Sequence, residues 1–148
     1  MQGKARMSDS AMIALYSQRI LALAADIPHL GRLKEPTGTS RRRSPLCGST
    51  VTVDVVVTDG RVTDFAQDVK ACALGQASAS ILGRVAVGRT LPEVTKARDQ
   101  LLAMLREDGP VPDAPFEGYE VLIPAREHRN RHASILLALE ALAEAMGG

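Results

Sequence analysis

Around residue 53 the chain alternates strictly between apolar and polar side chains, with Val51, Val53, Val55 and Val57 set against Thr50, Thr52 and Asp54. A period of two belongs to a strand with one covered face and one wetter face. Asp59-Gly60 then interrupts, and a second β-rich run extends from Arg61 to Ala71, so the pair predicts a β-hairpin closed by a two-residue turn. The valine face needs a cover, and the flanking segments, which change to a helical period, can supply it. That combination sets the class as α+β.

Ile13, Tyr16, Ile20, Leu23 and Ile27 recur at steps of three and four behind the N-cap oxygens of Ser8, Asp9 and Ser10, which predicts an amphipathic helix ending near Pro28. From His29 to Pro45 glycines, prolines and the run Arg41, Arg42, Arg43 show no hydrophobic period, as in a loop with at most a short edge strand. Ala73 to Val87 is helical and small-sided, with Ala77, Ser78, Ile81, Leu82 and Val85 on one stripe and Gly88 as a stop. Thr90 and Glu93 make a capping box before Val94, Ala97, Leu101, Met104 and Leu105, a helix that stops at Gly109. Pro110, Pro112 and Pro115 mark Gly109 to Gly118 as a loop or connector. The last helix is predicted from about Asn130, with Ile135, Leu136, Leu139, Leu142 and Met146 on its buried side.

With 148 residues the chain can bury one core, so a single domain over 1–148 is expected, with 1–7 disordered because they carry no apolar period. A net charge of +1 gives no global attraction to nucleic acid or an anionic membrane. The absence of tryptophan, with two phenylalanines and two tyrosines, removes the stacking platforms of a single-strand nucleic-acid binder. Ile20 to Ala25, the longest apolar stretch near the start, is too short to span a membrane and lacks the flanks of a cleaved signal, so a cytoplasmic protein is expected. Two cysteines without a secretory leader fit a reducing compartment, where thiols are free or metal-bound.

There is no Gly-rich phosphate loop, G-x-S-x-G elbow, H-E-x-x-H or CxxC pair. The two cysteines bracket the hairpin, Cys47 just before its first strand and Cys72 just after its second. A hairpin returns the chain to its starting end, so both thiols are expected at the same end of the sheet. Cys72 also opens a helix, where unpaired N–H groups favour a thiolate. His132, at the start of the last helix, completes a Cys2His set with one coordination position open, and His128, four residues earlier, is a weaker fourth candidate. The plainer alternatives are two inert core cysteines and a surface or capping histidine among Arg126, Arg129 and Arg131. The arginine runs themselves read as solvated faces, with docking of an acidic partner as the alternative.

Pro45-Leu46-Cys47-Gly48, the Val-rich hairpin with its Asp-Gly turn, Lys70-Ala71-Cys72 with the small-sided run to Ser80, and Arg131-His132-Ala133-Ser134-Ile135-Leu136 together resemble the U-type iron-sulfur cluster assembly scaffold family, the IscU, SufU and NifU N-terminal proteins. The longer spacer before the last helix is more similar to the SufU branch. The resemblance implies an antiparallel sheet of about three strands with helices mainly on one face, and a metal or cluster site at its end. It also implies iron, a [2Fe-2S] cluster or zinc as cofactor, and a cysteine desulfurase and apo iron-sulfur proteins as partners. Two positions depart from the family pattern: Ser49 replaces the aspartate of Cys-Gly-Asp, and Ala133 stands where a third cysteine is expected. Three functions follow from this reading: a scaffold or carrier binding through Cys47, Cys72 and His132; a zinc-dependent sulfur transferase with Cys72 as nucleophile; and a metal-free interaction module on the same fold.

Overall fold

A computed structural model describes residues 17–45 and 48–148. The N-cap expected at Ser8 to Ser10, the apolar positions Ile13 and Tyr16, the disorder expected at 1–7, and Cys47 fall outside the described residues. In chain order the elements are α1 (Gln18–Ala25), β1 (Gly38–Arg43), β2 (Thr50–Thr58), β3 (Arg61–Lys70), α2 (Ala73–Gly83), α3 (Leu91–Arg106), a 3-10 helix (Glu117–Glu127) and α4 (Arg129–Ala145).

The three strands form an antiparallel sheet in the order β1-β2-β3. Asp59 and Gly60 take φ of +52° and +77°, the left-handed pair whose twist suits a two-residue hairpin turn. Val51, Val53 and Val55 are buried, and helices cover their face, α4 lying on β1 and β2 and α2 beside it on β3. The outer helical layer is α1 on α2 and α3 on α4. Phe65, Leu74, Leu82, Leu101, Tyr119, Ile135 and Leu139 fill the space between the layers. Gly38 is required where β1 crosses the end of α4, because a Cβ there would run into the Ala145 carbonyl.

Several boundaries differ from the sequence expectation for local reasons. α1 stops at Ala25, with the Asp26 N–H turning back to the Leu23 carbonyl before Pro28 can restrict the backbone. α2 stops at Gly83 rather than Val87; Gly83 abuts Pro28, and the Arg84 and Val85 N–H groups fold back onto the Ser80 and Leu82 carbonyls. Gly88, at φ +95°, makes a turn whose N–H donates to the Val62 carbonyl of β3. The capping box of Thr90 and Glu93 is present in full. The proline-rich stretch gives way at Glu117 to the 3-10 helix, which buries Tyr119, Val121, Leu122 and Ala125.

The wetter face of the hairpin is not open along its whole length. Asp54 is fully buried there, receiving hydrogen bonds from Arg32 Nε (2.6 Å) and Nη2 (3.2 Å), Leu33 N (3.0 Å) and Thr39 Oγ1 (2.6 Å). Beside it, the chain at His29 to Gly31 pairs with Gln67 on the outer edge of β3, and the Gln67 amide nitrogen donates to the Pro28 and Ala79 carbonyls.

Candidate metal centre

Cys72 is the N-cap of α2, two residues beyond the end of β3, where the strand must turn into the helix that covers it. Its side chain makes no capping bond and is half-buried. The sulfur lies 3.6 Å from Ser134 Oγ on α4, and Ser134 in turn donates to Ser49 Oγ at 3.0 Å, just before β2. The starts of β2, α2 and α4 therefore meet around this thiol. Gly75 makes the approach possible, since a Cβ at that position would stand 2.5 Å from Ser134 Oγ and 2.8 Å from the Ala71 Cβ.

His132 is fully buried in the first turns of α4. Its Nε2 lies 2.8 Å from the Ala125 carbonyl oxygen, which can only accept, so Nε2 carries the proton and Nδ1 keeps its lone pair. Nδ1 is buried and has no hydrogen-bond partner among the described residues. Burial holds the ring below the ordinary histidine pKa, opposed by the bond to Ala125 and reinforced by the nearby Arg106 and Arg129 charges. Two positions along an α-helix are rotated by about 200°, so the His132 ring packed toward Ala125 and the Ser134 hydroxyl at Cys72 leave α4 on opposing sides.

His128 precedes α4 as its N-cap, and its own N–H also donates to the Ala125 carbonyl, at 2.9 Å. Its Nε2 is buried and has no hydrogen-bond partner among the described residues. Among the described residues no three histidine, cysteine or acidic side chains gather closely enough to hold a metal ion. Of the expected ligands, the structure places Cys72 at the sheet end and His132 within the helical core. Ser134 and Gly75 were not among the expected site residues; the excess of small residues in α2 was the visible signal for Gly75, and the segment Arg131 to Leu136 the one for Ser134.

A three-stranded antiparallel sheet, helices on one face and a cysteine at the strand-to-helix junction define a class of small α+β domain with known members. Residues 15–118 match the model of the NifU-like N terminal domain family. The crystal structure of a nitrogen-fixing NifU-like protein (N-terminal) from Brucella abortus superposes with a TM-score of 0.90 at 44% identity, covering 93% of this chain and 95% of that one. The iron-sulfur cluster assembly scaffold protein IscU of Thermotoga maritima is 24% identical over 132 residues, 89% of this chain and 92% of that protein. The scaffold protein IscU 1 of Archaeoglobus fulgidus is 26% identical over 82 residues, and the aligned stretch spans only 54% of its length. The chain belongs to the U-type iron-sulfur cluster assembly scaffold family, through its NifU-like N-terminal domain. His132 and Ser134 lie beyond the residues that match the family model.

Proposed function

We propose that this protein is a scaffold or carrier in iron-sulfur cluster assembly, taking up iron, a [2Fe-2S] cluster or zinc on Cys47, Cys72 and His132. The observation that carries the proposal is the hydroxyl link from Ser49 through Ser134 to the sulfur of Cys72. Cys47 precedes Ser49 by two positions in the sequence and is the second thiol of the proposed set. His132 is neutral with a bare Nδ1, the form in which an imidazole binds a metal without first losing a proton. To join the thiols its ring must leave the bond to Ala125 and cross from the side of α4 opposite to the one that presents Ser134 to Cys72.

Two thiolates and one imidazole suit zinc with a water in the fourth position. The same set holds a cluster with fewer anionic ligands than a carboxylate and third thiolate would supply, which favours handing the cluster on. A cysteine desulfurase would supply the sulfur, and apo iron-sulfur proteins would receive the product.

Anaerobic purification followed by metal and sulfide analysis tests this reading. Wild-type protein retains iron or zinc, and Cys47→Ser, Cys72→Ser and His132→Ala each lower the content. Equal metal content in wild type and Cys72→Ser would overturn it, and equal content in His132→Ala would remove the histidine from the set.

A further inference from the structure

The sheet face turned away from the helices carries a groove of about 410 Å³ beside the Arg32–Asp54 clasp. Arg32, Arg41, Lys70, Thr50, Thr52 and Asp68 line it. Its layout follows from the strand register. Arg43 pairs with Thr50 and Thr50 with Lys70; one pleat further along, Arg41 pairs with Thr52 and Thr52 with Asp68. Residues directly opposite in an antiparallel sheet share a face, so Arg43 and Lys70 flank one threonine while Arg41 flanks the next. Arg42 points to the other face, where it pairs with Glu144 of α4 at 2.7 Å.

The side chains of Arg41, Arg43 and Lys70 are exposed and make no hydrogen bond or ion pair among the described residues. Among the described residues no acidic side chain pairs with them. Rows on one face of a strand repeat every ~6.8 Å, and strands lie ~4.8 Å apart, so the backbone sets these cations out on a regular grid. An extended peptide has the same repeat along its own length. Asp68 stands among the cations and opposes a compact polyanion, whereas carboxylates set at alternate positions can sit beside the arginines and avoid it. The threonine hydroxyls between them supply further donors.

We infer that this groove docks an extended acidic segment of a partner protein, with carboxylates at alternate positions received by Arg41 and Lys70 within it and by Arg43 beside it. Lys70 precedes Cys72 by two residues, so the docked segment lies beside the thiol end of the sheet. The inference stands on the groove alone and holds whatever Cys72 binds.

The test is a titration of isotope-labelled full-length chain, followed by amide chemical shifts, with a synthetic peptide of alternating glutamate and serine at low salt. Shifts are expected at Arg41, Thr52 and Lys70, fading as salt is raised. Combining Arg41→Glu with Lys70→Glu weakens binding about tenfold or more, as reversing contact charges does. Arg98→Glu, in α3 where Arg98 pairs with Asp99, leaves binding unchanged. If the double variant melts below wild type, the milder Arg41→Gln and Lys70→Gln are compared instead. Four results would overturn the inference: equal binding of the matching glutamine-serine peptide; equal or tighter binding of a short thymidine oligonucleotide; displacement of the peptide by inorganic phosphate at matched ionic strength; and shifts confined to Arg126 through Arg131.

Discussion

The Ser134 hydroxyl donates to the Ser49 hydroxyl across 85 positions of sequence, and the same oxygen lies 3.6 Å from the sulfur of Cys72. The surroundings of that thiol are therefore set by how closely α4 packs on α2, and the closeness is set by Gly75.

Gly75→Ala is expected to push the two helices apart at this point. The new methyl group would meet Ser134 Oγ and the Ala71 Cβ inside van der Waals contact, and overpacking of this kind costs about 1–3 kcal/mol. Thermal melting should show the loss. Reaction of Cys72 with a thiol probe should quicken as the junction opens, and an unchanged rate together with an unchanged melting temperature would contradict the packing argument.

Asp54→Asn should cost about 1–3 kcal/mol, because a buried acceptor that satisfies four donors loses its charge and one of its oxygens. The acid limb of stability should change with it. Arg32 holds the Asp54 carboxyl below its ordinary value of 3.8, helped by Thr39 and Leu33 and opposed by burial. A depressed folded pKa gives stability that is complete above the unfolded value and is lost as pH falls through the folded one. Urea midpoints measured down the acid range should fall less steeply for Asp54→Asn than for wild type.

His132 should impose its own pH dependence at milder acidity. Its folded pKa lies below the ordinary 6.5, chiefly through burial, so the unfolded chain takes up the proton first as pH drops. The resulting stability is whole above 6.5 and declines from there toward the lower folded value. His132→Gln can still donate to the Ala125 carbonyl and has nothing to titrate. Its urea midpoint should stay level where that of wild type declines, and parallel curves for the two proteins would contradict the assignment.

Ala133→Cys should strengthen metal retention. Ala133 is half-buried beside His132 and Ser134, and a thiol there adds a third soft anionic ligand to the proposed set. Zinc withdrawal by a chelator should be slower than from wild type. If it is not, position 133 does not face the site.

The hairpin and the capped start of α3 are legible in the sequence because each depends on neighbours in the chain: the alternation from Val51 to Val57, the Asp59-Gly60 turn, and Thr90 with Glu93 three residues on. The placing of Cys72 at the opening of α2 follows from the same local logic. The 3-10 helix escapes such reading, since Tyr119, Val121, Leu122 and Ala125 stand behind a run of prolines and have Pro124 among them. So does the burial of Asp54, because alternation identifies the wetter face but not the arginine that crosses it. His132 looks like a helix-start ligand by position, yet its ring partner, Ala125, belongs to the 3-10 helix that the sequence conceals.

The outer edge of β3 is occupied at both ends, by Arg89 and Gly88 bonded to Val62 and by His29 and Gly31 bonded to Gln67. Among the described residues no backbone group bonds to the outer rail of β1, where a strand from another molecule can pair. Arg41, Arg42 and Arg43 charge that border, and a second copy laid along it in the same direction would set triplet against triplet, which discourages fibril growth.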